Sequence, residues 1–144
     1  MFVVDTNILV YAADDYAPDH DCCMRLLEQW RAGPAPWFLT WGVVFEFLRV
    51  VTHPRVLRQP WTGERAWSFI VALLAGGSLR MLTAGERYAA AVGEVLQQVP
   101  NLRGNLWHDA ETAILMREHG IRRIYTRDVD FHRFPFLEVV DPAR

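Results

Sequence analysis

Apolar runs of strand length alternate with helix-length amphipathic segments. This alternation predicts an α/β fold, a three-layer sandwich with a mostly parallel central sheet flanked by helices. Three observations carry that reading. Short apolar runs open the chain (Phe2-Val3-Val4) and recur at Trp37–Thr40, Leu79–Leu82, Arg123–Thr126 and Leu137–Val140. The segments between them repeat apolar residues at helical spacing. Carboxylates stand just past the first and fourth runs, at Asp5 and Asp128. In parallel sheets the ligand sits at that end of the strands.

The elements follow in order. Residues 1–5 read as a buried strand and Thr6 to Ala13 as a short helix. Pro18 suits a first helical turn. Cys23, Leu26, Leu27 and Trp30 then give a stripe that Gly33-Pro34 ends. After the second strand, Gly42 to Thr52 is apolar on nearly every side and is expected to be buried; His53-Pro54 stops it. A helix from Thr62-Gly63-Glu64 to Gly76-Gly77 carries the stripe Trp67, Ile70, Val71, Leu74. Ala84 to Val99 and Trp107 to His119 read as two further helices, the second closed by Gly120. With no repeat, low-complexity tract or linker, residues 1–144 are expected to form one domain.

The 144 residues are 51% hydrophobic and 22% charged, enough for a substantial core. A net charge of −2 supplies no basic field, which counts against a passive nucleic-acid binder but not against a nuclease. All fifteen basic residues are arginine. Codon bias accounts for most of that, yet each is a planar fork suited to phosphate, and Arg127 and Arg133 flank the last acidic cluster. Cys22 and Cys23 make neither a disulfide framework nor a zinc pattern, and the five histidines lack metal-ligand spacing. No apolar run approaches 18 residues, so no membrane association and a cytoplasmic location are expected.

Four acidic positions carry the chemistry. Asp5 can cap the helix after it; alternatively it holds a metal while Thr6 and Asn7 orient it or its waters. Glu46 lies in Val43-Val44-Phe45-Glu46-Phe47-Leu48 and can pair with Arg49 at i,i+3 for a few tenths of a kcal/mol. The expense of burying a carboxylate in so apolar a helix favours a site instead. Asp109 fits a first turn favoured by the helix dipole. Glu111, about 200° around the same helix, is expected to face solvent rather than share a ligand with it. In Thr126-Arg127-Asp128-Val129-Asp130-Phe131 the aspartates suit a turn; alternatively Asp128 completes a metal site, supported by Thr126, with Asp130 auxiliary. Converging carboxylates repel unless a cation joins them, and oxygen-only ligation suits Mg²⁺ or Mn²⁺.

Val4-Asp5-Thr6-Asn7-Ile8-Leu9, Phe45-Glu46-Phe47-Leu48-Arg49, His108-Asp109-Ala110 and Thr126-Arg127-Asp128-Val129-Asp130-Phe131, followed by Phe134-Pro135, occur in that order along the chain. With Val51-Thr52-His53-Pro54-Arg55-Val56, they resemble the PIN-domain ribonucleases, and within them the VapC toxins of bacterial toxin–antitoxin pairs. The resemblance spans essentially the whole length. It implies a PIN-like sandwich and a Mg²⁺- or Mn²⁺-dependent endoribonuclease with Asp5, Glu46, Asp109 and Asp128 as catalytic metal ligands. Thr6, Asn7, Thr126 and Asp130 support them. It implies an RNA substrate, products with 5′-phosphate and 3′-hydroxyl ends, a small antitoxin partner and a homodimer. Exposed Trp and Phe on the helices from Pro18 and Gly42 are candidates for those contacts. Glu111-Thr112 departs from the small or apolar residues expected there. Rival readings are a housekeeping PIN nuclease or a non-catalytic RNA- or protein-binding module with a vestigial site. A receiver domain would need a lysine, and a haloacid-dehalogenase phosphatase a second Asp in place of Asn7; neither is present. Trp41 and Trp61 could stack bases, and Arg55 and Arg58 could touch phosphate, but packing and a solvated surface are the simpler expectations.

Overall fold

In the computed structural model, which describes residues 1–144, five strands form one sheet in the order β3-β2-β1-β4-β5. They are β1 (Phe2–Val4), β2 (Trp37–Thr40), β3 (Leu79–Leu82), β4 (Arg123–Tyr125) and β5 (Glu138–Val140). Every pairing is parallel. The chain winds outward from β1 through β2 to β3, then crosses back to place β4 on the other side of β1. That reversal opens a crevice beyond the carboxyl ends of β1 and β4.

Six α-helices cover the sheet: α1 (Thr6–Ala13), α2 (His20–Ala32), α3 (Trp41–Thr52), α4 (Gly63–Leu74), α5 (Tyr88–Gln98) and α6 (Leu106–Glu118). Successive strand residues face opposite sides, and the two cores show it. Val4 and Leu39 pack with α1 to α4 on one face. Val3 and Ile124 pack with α5, α6, Phe131 and Phe134 on the other. Three layers are thus present, as the alternating pattern predicts.

Several boundaries differ from the sequence reading, each for a local reason. Helix α2 begins at His20 with Asp19 as its flanking residue, so Pro18 belongs to the preceding turn. Helix α5 begins at Tyr88 rather than Ala84, because Glu118 accepts the backbone N–H groups of Gly85 and Arg87 and holds that stretch as a turn. In α4 the buried face is Ala66, Ile70 and Leu73, one step round from the expected stripe, and Trp67 and Val71 lie exposed. Helix α3 is not buried all round: Val43, Val44, Phe47 and Val51 face the core, while Trp41 and Phe45 are exposed. The Asp-rich loop after β4 contains a 3-10 turn, Val129–Arg133, capped where Asp128 Oδ1 accepts the Asp130 N–H at 2.8 Å. Gly120 closes α6 with φ 68°, as expected of a helix-terminating glycine.

Candidate functional site

A cleft of about 1020 Å³ opens at the sheet crevice, and Asp5, Glu46, Asp109, Asp128 and Asp130 all line it. The sheet register builds its floor. Asp5 N–H donates to Tyr125 O at 3.0 Å, prolonging the β1–β4 pairing by one residue, so Asp5 and Thr126 emerge side by side.

Asp5 is the most buried carboxylate of the site, and both its oxygens are occupied. Thr6 N–H donates to Oδ1 at 2.7 Å. Thr126 Oγ1 and Asn7 Nδ2 each donate to Oδ2 at 2.6 Å. The Thr126 hydroxyl in turn accepts from Asn7 Nδ2 and from the Asp128 N–H, both at 2.9 Å. Asn7 Oδ1 accepts the Arg127 N–H at 3.2 Å. Thr126, fully buried, therefore ties the segment after β1 to the segment after β4 through one hydroxyl. Burial pushes the Asp5 carboxyl up to about 6 despite those donors, and the neighbouring Asp128 adds to the rise.

Asp109 enters from the first turn of α6. A carboxylate serving only the helix dipole would be stabilised as the anion. This one is pushed the other way, to about 7, first by burial and then by repulsion from Asp128, Asp5 and Asp130. One ligand oxygen from each of Asp109, Asp128 and Asp130 lies within 4.8 Å of the others. Three anionic oxygens so close, with no basic side chain reaching Asp109 or Asp128, call for a compensating cation. The all-oxygen donor set fits a hard divalent ion rather than zinc. Asp130, read as auxiliary in the sequence, is a full member of this group, although Arg133 also approaches its Oδ1 at 3.0 Å.

Glu46 differs from the sequence reading. Its side chain is exposed, so the expense of burial does not apply, because α3 turns that face to the cleft rather than the core. Arg49 donates to both its oxygens, at 2.6 and 2.8 Å. This pair holds the Glu46 carboxyl below its ordinary range. Glu46 shares the cleft with Asp5 but not the three-carboxylate cluster.

The two arginines expected to meet phosphate are committed elsewhere. Arg127 is ion-paired to Asp19 and to Asp141, strapping the loop after β4 to α2 and to the C-terminal residues. Arg133 pairs with Asp130 three residues back. Arg49 and Arg103 line the cleft instead. Arg103 escaped the sequence reading because it sits in the α5–α6 connection, away from any strand end. That connection is shaped by Asn101 and Gly104 at φ 70° and 58°, and only the tertiary fold brings it to the site. Glu111 is exposed as expected, yet it too lines the cleft, beside Gly42 at the start of α3. A Cβ on Gly42 would lie 3.1 Å from Glu111 Oε2. Thr112 is buried in α6. Trp61 packs among Phe47 and Phe69 with Arg65 over its ring, so packing is its role. Arg58 lies over the Tyr16 ring.

An open parallel sheet with a carboxylate-lined cleft at its switch point defines the class: an α/β domain with an acidic site at the carboxyl ends of its strands. The sequence profile of the PIN domain matches residues 2–137. Among curated proteins the chain is similar to Ribonuclease VapC48 of Mycobacterium tuberculosis, 36% identical over 96% of this chain and 94% of that one. Among solved structures it is similar to M. tuberculosis VapC20, described as a sarcin-ricin loop cleaving toxin (TM-score 0.65, 20% identity, 92% and 93% coverage). It is also similar to VapBC2 from Rickettsia felis bound to a promoter DNA fragment (TM-score 0.66, 22% identity, 96% coverage of each chain). The chain belongs to the PIN-domain family, among its VapC ribonucleases. The fold expected from the sequence is the fold observed. No helix is long and apolar enough to cross a membrane.

Proposed function

We propose that residues 1–144 act as a single PIN-like unit, a divalent-metal-dependent endoribonuclease and the toxin of a type II toxin–antitoxin pair. The observation that carries this reading is the convergence of Asp109, Asp128 and Asp130 beside buried Asp5, a set whose mutual repulsion a cation relieves. Asp5, Glu46, Asp109 and Asp128 serve as catalytic ligands, with Asp130 joining the set; Mg²⁺ or Mn²⁺ suits these oxygens. Such an ion, when bound, lowers the pKa of a water for attack on a phosphodiester and offsets charge on the leaving oxygen.

The chain's own residues do the rest. Thr126 and Asn7 fix the Asp5 carboxylate by two 2.6 Å hydrogen bonds. Thr6 and Asn7 orient from the first turn of α1, and Thr126 also fixes Asp128 through its N–H. Arg49 keeps Glu46 ionised at the α3 wall. Arg127 holds the loop bearing Asp128 in place rather than binding phosphate.

An antitoxin is supported by the relatives' names and by an apolar groove between α2 and α4, lined by Met24, Leu27, Phe69 and Leu73. Self-association into a homodimer and action in the cytoplasm complete the proposal. The purified chain should cleave single-stranded or looped RNA with Mg²⁺ or Mn²⁺ and not in chelator. Cleavage that survives full chelation overturns the metal requirement. Growth arrest by the wild-type chain but not by Asp5→Ala at equal abundance tests the toxin role.

A further inference from the structure

We propose that Arg103 and Phe45 hold the RNA in the cleft, Arg103 gripping a phosphate and Phe45 stacking an unpaired base. The proposal rests on the ribonuclease reading above and adds to it the residues that hold the substrate.

Arg103 is the free cation of the cleft. The other arginine lining it, Arg49, has its fork filled by both oxygens of Glu46. Arg103 has no carboxylate, carbonyl or ring partner, although a cluster of aspartates shares its cleft. A phosphodiester approaching those carboxylates meets repulsion, and a guanidinium outside the cluster supplies a bidentate hold on it.

Phe45 is 65% exposed on α3 and lines the same cleft, next to Glu46. Helix α3 turns Val43, Val44 and Phe47 to the core, which leaves the Phe45 ring outside the packing. Trp41, itself exposed, stands behind it with ring centroids 6.3 Å apart. An exposed aromatic face and a free arginine lining one groove are the elements that hold single-stranded nucleic acid. In a duplex the faces of the bases are covered by their neighbours, so an aromatic side chain reaches only an unpaired base.

A fluorescein-labelled 2′-O-methyl RNA decamer, its integrity verified on a gel after each titration, tests this by anisotropy with the full chain in Mg²⁺, as single strand and as duplex. Wild type should bind the single strand at least tenfold tighter. Phe45→Ala should weaken that binding roughly tenfold, and Phe45→Trp should retain it while Phe45→Leu does not. Arg103→Ala should flatten the slope of log Kd against log salt by about 0.7, the value of one phosphate on a single strand. Equal binding of duplex and single strand overturns the proposal, as does wild-type affinity in Phe45→Ala. Altered sedimentation of Phe45→Ala with unchanged decamer binding overturns it too and assigns Phe45 to a contact between copies. Cleavage of unmodified RNA by wild type is read in parallel. Its absence, with decamer binding intact, refutes the nuclease reading and leaves the single-strand groove standing.

Discussion

Two groups of carboxylates share one cleft and have opposite electrostatics. At the α3 wall, exposed Glu46 is held by Arg49 and its carboxyl is lowered. At the floor, Asp5 and Asp109 are desolvated, face Asp128, and are raised to about 6 and about 7. The chain supplies a cation for one group and leaves the other to acquire it. The lesson is that carboxylates of one cleft differ in what they lack: the sign of the perturbation separates an acid that already has a cation, and would share it with a metal, from acids that have none.

The largest effect expected is on activity. Asp109→Asn keeps the shape of the floor and removes one charge. RNA cleavage should fall on the order of a hundredfold or more, beyond the 10–100-fold typical of residues that only support ligands. The metal-free variant should be as stable as wild type or more so, since repulsion is relieved. Mg²⁺ should raise the wild-type Tm more than that of the variant. Thermal unfolding of both in chelator and in metal checks this; a clearly destabilised metal-free variant would make Asp109 a structural residue.

Thr126→Val comes next. It removes a donor from Asp5 and an acceptor from Asn7 and the Asp128 N–H. Leaving those buried groups unpaired should cost about 1–3 kcal/mol, read by urea denaturation, together with a 10–100-fold loss of cleavage. Thr126→Ser, which keeps the hydroxyl, should recover most of the activity.

The third concerns pH. Asp5 and Asp109 have folded-state values above their ordinary 3.8, so between about pH 4 and 7 the folded protein holds more protons than the unfolded chain. Their contribution to stability is then full below about pH 4 and is lost as pH rises through 6 to 7. Metal-free wild type should lose on the order of 1–2 kcal/mol from these groups between pH 5 and 8, after discounting for partial solvent screening. Asp109→Asn should flatten that slope and Glu46→Gln should not. A slope that Glu46→Gln removes would erase the distinction between wall and floor.

The smallest effect belongs to the wall. Glu46→Gln weakens an exposed i,i+3 pair, so stability should change by less than about 0.5 kcal/mol. Cleavage should nonetheless fall at least several-fold, because Glu46 is one of the proposed ligands. Unchanged cleavage would restrict the Glu46–Arg49 pair to helix support.

Much of the site was legible in the chain. Asp5 and Asp128 follow apolar runs, and the parallel-sheet rule sends both to one edge. Glu46 lines the same cleft, but burial is not what brings it there. Apolar residues on nearly every side of α3 point to burial, but a helix beside an open cleft has a face with no partner. Arg127 and Arg133 illustrate the same limit. Both look available beside an acidic cluster, and only the fold shows that Asp19, Asp141 and Asp130 already occupy them.

By itself the sequence determined the alternation of elements, the strand positions and the carboxylates that end β1 and β4. These depend on local periodicity and on short-range steric rules. Tertiary structure alone decided that Asp130 joins Asp109 and Asp128, that Asp5 is buried under Thr126 and Asn7, and that Arg103 reaches the cleft. Those facts depend on contacts between residues up to 121 positions apart, Asp5 and Thr126 among them. The strand register and the crossover from β3 to β4 bring such residues together, and no local pattern encodes their distances or the burial that sets their charge.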